Sequence, residues 1–157
     1  MKFRILLFFI LILATACIDV EICDEDYDSE LVARFKTEKD GILSDTTVSA
    51  LSLYGIREGL SDSLLYDSIP ASGFVVPLDP HHDFSSFALQ INGQSDTLTI
   101  SYQHETYMIS YTCGFASLFT IEDNIESNSG VIKSDTIINE MVDAEYEENE
   151  EHIWLSL

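Results

Sequence analysis

Ser85 to Phe115 reads SSFALQINGQSDTLTISYQHETYMISYTCGF, and the alternation within it decides the fold. Phe87, Leu89 and Ile91 alternate with Ser86, Ala88 and Gln90, so apolar side chains fall on one face of an extended chain and polar ones on the other. Asn92-Gly93 then supplies the pair of residues that most readily takes the positive φ values of a type I′ hairpin turn. A two-residue turn there sets Phe87 opposite Leu98, with Ile100 and Tyr102 continuing the same face. Farther on, Tyr107, Ile109, Tyr111, Cys113 and Phe115 alternate with Met108, Ser110 and Thr112. Gln103 to Thr106 are expected to form a loop that pairs Tyr102 with Tyr107, which would put Cys113 on the core side. The stretch therefore predicts a three-stranded antiparallel meander.

Outward from this meander the chain keeps a β rhythm. Further strands are expected at Leu31–Lys36, Val48–Gly55, Leu64–Ile69, Phe74–Leu78, Gly130–Ile138 and His152–Leu157, with Gly, Pro, Asn or Asp between them and no convincing 3.6-residue period anywhere. Residues 140–151 hold seven carboxylates and no basic residue, which predicts a self-repelling acidic loop. Ile153, Trp154, Leu155 and Leu157 return the chain to the core. Residues 31–157 are thus expected to form one all-β domain, an antiparallel β-sandwich of immunoglobulin-like or transthyretin-like kind, with a small closed β-barrel as the alternative.

Composition narrows function by exclusion. Seven Lys and Arg stand against 28 Asp and Glu in 157 residues, a formal charge of −21 that leaves no basic stripe for phosphates, so nucleic acid is not expected as a partner. At 46% hydrophobic and 11% aromatic the chain is too apolar for a disordered acidic segment.

The amino terminus carries an address. Lys2 and Arg4 precede the apolar run Ile5–Leu13, which ends in Ala14, Thr15 and Ala16, and this is the pattern of a secretory signal peptide over residues 1–16. The run is too short to span a bilayer core of about 30 Å as a helix. Leu13-Ala14-Thr15-Ala16-Cys17 resembles the bacterial lipobox, which implies cleavage before Cys17 and a diacylglyceryl group on its thiol. Ile18 rather than Asp follows the cysteine, which by the same resemblance points to the outer membrane. Within residues 17–30, Asp19, Glu21, Asp24, Glu25, Asp26 and Asp28 look like the acidic tether that takes some lipoproteins to the cell surface, a solvated linker with no sorting role being the alternative. With Cys17 acylated, Cys23 and Cys113 remain as an even pair in an oxidising compartment, and a disulfide between them is expected, two free thiols being the alternative.

Chemistry-bearing clusters are few. Asp79, His81, His82 and Asp83, around Pro80, are the candidate metal ligands, although adjacent histidines on an extended chain face opposite ways. Asp24, Asp26 and Asp28 open like an EF-hand loop but Ser29 stands where its glycine is needed. His104-Glu105 lacks the second histidine of H-E-x-x-H, Met108 being there instead, and no nucleophile elbow, P-loop or dinucleotide fingerprint occurs. No cofactor and no enzymatic activity are expected on these grounds. Asp-Ser or Asp-Thr pairs at Thr46, Ser63, Ser68, Thr97 and Thr136 look like O-glycosylation sequons of Bacteroidetes-type exported proteins, the plainer reading being Asp closing a turn and Thr opening a strand.

Cys23, Leu31-Val32-Ala33-Arg34-Phe35, Val76-Pro77-Leu78-Asp79-Pro80, Ile91-Asn92-Gly93, Asp96 to Tyr102 and Cys113-Gly114-Phe115, together with the lipobox, resemble a domain-of-unknown-function family of Bacteroidetes exported lipoproteins. The resemblance implies a small lipid-anchored β domain and carries over no functional residue. The resulting expectation is a non-catalytic accessory module of the cell envelope, held to the membrane by its lipid and binding an unknown protein or small-molecule partner. A metal-dependent hydrolase centred on Asp79, His81, His82 and Asp83, or a structural envelope spacer, are the alternatives.

Overall fold

A computed structural model of the protein describes residues 29–57, 59–128, 130–144 and 150–157. The expected signal peptide, Cys17, Cys23 and most of the expected acidic tether lie outside the described residues. The eleven strands, with no helix among the described residues, are β1 (Glu30–Lys39), β2 (Ile42–Asp45), β3 (Val48–Ile56), β4 (Ser63–Ala71), β5 (Gly73–Pro77), β6 (Phe84–Ile91), β7 (Gln94–Ser110), β8 (Gly114–Ser127), β9 (Ser134–Ile137), β10 (Met141–Val142) and β11 (Ile153–Ser156).

They form two sheets. The larger has the order β10-β8-β7-β6-β3-β4 and is antiparallel throughout. Its centre is the meander expected around Asn92-Gly93, with Phe87 opposite Leu98 and both turn residues at positive φ, 51° and 84°. The smaller sheet is built on β1, which pairs with β11 along one edge and with β5 and then β2 along the other, while β9 lies outside β11. Phe35 shows this division directly, because its amide donates to the Ser72 carbonyl and its own carbonyl accepts from Thr46 on that same edge. The β1–β11 pair is parallel, the one parallel ladder among the described strands.

One core lies between the sheets. Leu31, Ala33, Phe35, Phe74, Val76, Ile153 and Leu155 of the smaller sheet meet Leu51, Leu53, Leu89, Leu98, Ile100, Tyr102, Phe119 and Ile121 of the larger, all buried. Burial of each such side chain contributes roughly 1.5–3 kcal/mol relative to exposure. Phe35 meets Phe74 edge-on at 5.9 Å between ring centroids, and Tyr102 meets Phe119 edge-on at 5.1 Å. Gly73 allows the close approach of β5 to β1, since a Cβ there would lie 2.0 Å from the Ala33 carbonyl oxygen.

Neither sheet closes on itself, so the closed-barrel alternative is not the architecture. Where β4 and β5 come together, the link is a side chain rather than a ladder: the Tyr66 hydroxyl accepts from the Val75 amide at 2.9 Å and donates to the Val75 carbonyl at 3.3 Å.

The expected loop at Gln103–Thr106 is instead continuous strand. β7 runs through to Ser110 and turns at Tyr111-Thr112-Cys113, so Tyr107 faces Ala116 and Met108 faces Phe115. The turn forms there because Gly114 takes φ 79° and the Ser110 hydroxyl accepts from the Cys113 amide at 3.0 Å. Cys113 is consequently a half-buried turn residue and not a core-facing strand residue. The region 130–138 supplies strand only over Ser134–Ile137. The acidic segment 140–151 is also not loop from its start, because Met141 and Val142 pair with Thr120 and Phe119 and the Val142 side chain is fully buried. Apolar burial of one residue outweighs the repulsion of flanking carboxylates that remain in water.

Candidate functional site

The loop that joins β5 to β6 carries all four expected metal candidates. Leu78 is buried and fixes its start, and Tyr102, 1% exposed, reaches across from β7 to hold its next residue. The Tyr102 hydroxyl donates to the Asp79 carbonyl at 3.0 Å and lies 3.0 Å from the Asp79 amide and 2.7 Å from the Ser85 hydroxyl. Burial pushes the Tyr102 phenol above its ordinary pKa, so it stays a donor. The Asp79 carboxylate accepts from the His81 amide at 2.9 Å and lies 3.1 Å from His82 Nδ1, and the His81 amide, with a smaller share from His82, holds Asp79 below the usual carboxylate range.

These contacts describe an Asx turn, not a coordination sphere. His81, His82 and Asp83 are exposed, and Asp83 Oδ1 is directed toward His104 on β7 at 3.8 Å rather than toward Asp79. Among the described residues no three His, Cys, Asp or Glu side chains converge where they could hold a metal ion.

A different candidate lies on the outer face of the larger sheet. The polar sides of the alternating strands line up across it, Tyr54 beside Ala88 beside Thr97, and Ser52 beside Gln90 beside Ser95. Tyr54, Gln90, Ser95, Thr97 and Asn128 rim a cleft of about 350 Å³ over Ala88.

Asp96 borders the cleft and shapes its wall. It is 3% exposed, and its two oxygens receive the Thr97 amide at 2.7 Å, the Asn128 amide at 3.1 Å, the Ile132 amide at 3.1 Å and the Ser127 hydroxyl at 2.9 Å. A buried carboxylate so surrounded fastens the chain after β8 against the start of β7. Asp96-Thr97 is thereby a structural pair, with Thr97 half-buried, as Thr46 also is. Ser63, Ser68 and Thr136 are exposed.

The smaller sheet buries one charged side chain, Lys36, and one titratable ring, His152. Lys36 reaches Asp45 at 2.5 Å and lies 4.1 Å from the centre of the Trp154 ring, and its ammonium is what holds the Asp45 carboxyl below its ordinary pKa. His152 is 1% exposed, its Nδ1 accepting from the Val32 amide at 2.9 Å, which puts the ring proton on Nε2. Burial lowers its pKa and keeps the imidazole neutral.

No helix among the described residues is long and apolar enough to cross a membrane. The cleft residues come from β3, β6, β7 and the turn after β8, and the sequence signal for them was only that each polar position of the alternation faces away from the core. No curated protein and no solved structure matches the chain. One family model does match, over residues 45–155, from the end of β2 through most of β11, and the chain belongs to the Family of unknown function (DUF6452).

Proposed function

We propose that the chain is a lipid-anchored lipoprotein of the outer membrane or cell surface whose β domain binds a ligand without transforming it, with the outer-face cleft as its binding site. The observation that carries the binding half is the lining: the Tyr54 ring stands beside the amides of Gln90 and Asn128 and the hydroxyls of Ser95 and Thr97. An aromatic edge with neutral donors and acceptors suits an uncharged, hydroxyl-rich ligand such as a saccharide. The Asp96 carboxylate at its border is occupied with backbone amides, which speaks against acid–base work there. A hydrolase centred on Asp79, His81, His82 and Asp83 has no convergent donor set to support it among the described residues.

The anchor half rests on Cys17 following Leu13-Ala14-Thr15-Ala16, and a Cys23–Cys113 disulfide completes it. Ser63, Ser68 and Thr136, being exposed, are the sequons open to glycan.

The intact mass of membrane-extracted protein tests the address: acyl chains on Cys17 and two thiols that appear only on reduction are expected, and an unacylated mass with free thiols refutes it. A thermal-shift panel of neutral mono- and disaccharides tests the cleft. A rise in melting temperature that Tyr54→Ala with Gln90→Ala abolishes is expected, and equal responses in both proteins refute the assignment.

A further inference from the structure

We propose that the tip of the β7–β8 hairpin, Tyr107 to Phe115, lies in the lipid surface beside the amino-terminal anchor; this rests on the reading of Cys17 as acylated. Beyond the Phe84–Ser101 pair, β7 has no β6 beside it, and β10 reaches β8 only at Phe119 and Thr120, so residues 105–118 project as a two-stranded ribbon. From Thr106 to Ile121 no residue is charged, in a chain whose formal charge is −21. Tyr111 is 99% exposed at the turn and Phe115 70%, with Met108 paired to Phe115 on one face and Tyr107 exposed on the other. Apolar groups on both faces of a ribbon do not present one docking face to a second sheet. They suit immersion of the end itself, where Tyr and Phe favour the boundary between headgroups and acyl chains. A second copy of the chain would bring a second body of formal charge −21 close to the first.

The described chain begins at this end of the molecule. Ser29, the first described residue, hydrogen-bonds through its hydroxyl to the Ser117 carbonyl on the ribbon. Cys23 precedes it by six residues, a reach of up to roughly 20 Å, against about 13 Å of strand from Ser117 to the turn at Cys113. Cys17 precedes Cys23 by the same spacing. A Cys23–Cys113 disulfide therefore keeps the acylated residue within roughly 20 Å of the tip, so anchor and tip meet one membrane together.

The test uses the full chain, recovered from membranes and reconstituted in phosphatidylcholine vesicles that carry bromine on their acyl chains. Tryptophan is placed at the tip as Tyr111→Trp and, for reference, as Ile42→Trp, an exposed site at the far end of β1 from Ser29; the unmodified chain, with Trp154 alone, is the blank. Blue-shifted emission and quenching about threefold or more stronger at position 111 than at 42 are expected from interfacial insertion. Water-like emission at 111 with quenching no greater than at 42 overturns the proposal. Acylation is read separately from the intact mass of the same sample: if Cys17 carries no lipid the anchor reading fails, and quenching at 111 after mixing with vesicles still decides the tip. Tyr111→Asp with Phe115→Asp, at exposed positions, should speed transfer of the acylated protein between vesicles by about tenfold or more, and unchanged transfer counts against insertion.

Discussion

Replacing Asp96 with alanine should destabilise the domain more than any other single change of a polar residue on the larger sheet. The Ile132 amide loses its acceptor in a buried setting, which costs about 1–3 kcal/mol, and the part-buried Thr97, Asn128 and Ser127 donors lose charge-assisted partners worth about 0.5–1 kcal/mol each once solvent competes. Removing a buried charge returns part of this, since its desolvation is no longer required. The balance is a loss of about 2–4 kcal/mol, out of a total stability of roughly 5–15 kcal/mol for a domain. At about 3–4 °C per kcal/mol for a domain of this size, the melting temperature followed by circular dichroism at neutral pH should fall by roughly 6–16 °C. Asp96→Asn, which keeps the volume and one acceptor, should fall by about half as much. A melting temperature within about 2 °C of the parent for Asp96→Ala would refute the view that this carboxylate fastens the chain after β8.

Three other outcomes follow from the same reasoning. The folded-state pKa of His152 lies below its unfolded value, so the unfolded chain takes up a proton first as pH falls, and stability present above about pH 6.5 is lost below it; His152→Asn, which keeps an acceptor near Val32, should flatten the melting-temperature profile between about pH 7.5 and 5.5, and parallel profiles would contradict this. Gly73→Ala should lower the melting temperature by about 5 °C or more, because its methyl group meets the Ala33 carbonyl and β5 must move off β1; a change within about 1 °C would show that the approach is looser than described. Tyr102→Phe should speed hydrogen exchange at the Asp79 amide by about tenfold or more while leaving the Asn92-Gly93 turn unchanged, and equal exchange in both proteins would show that the hydroxyl does not hold the loop.

The parts of the fold legible in the sequence are those that local chemistry dictates. Asn92-Gly93 specifies its own turn, and alternation on both sides fixes the register from Phe87 to Leu98 without reference to anything distant. The expected loop at Gln103 to Thr106 is strand instead, because polar residues resemble a loop in sequence yet are equally at home on a mostly exposed stretch of strand. Gly114 at positive φ, after Ser110, marked the true turn. The pairing of β1 with β11 joins residues about 120 positions apart and leaves no local trace. Of the site, the Asp79–Asp83 cluster was visible because its residues are neighbours in sequence, yet neighbours on a turn point apart. The cleft was not visible, because Tyr54, Gln90 and Asn128 are brought together only by strand order. Asp96 read as half of a modification signal, and nothing short of the burial of its carboxylate distinguishes that from an anchor.

The parallel ladder between the first and last strands also sets a schedule. A chain made from its amino terminus produces Leu31 to Phe35 well before their partners Ile153 and Leu155, which follow about 120 residues later. Until then β1 has one edge unsatisfied, and the Val32 amide has no imidazole to receive it. The larger sheet, whose neighbours are mostly consecutive hairpins, can assemble as it emerges, whereas the smaller sheet waits for β11. Completion of this domain is thus a latch thrown by β11.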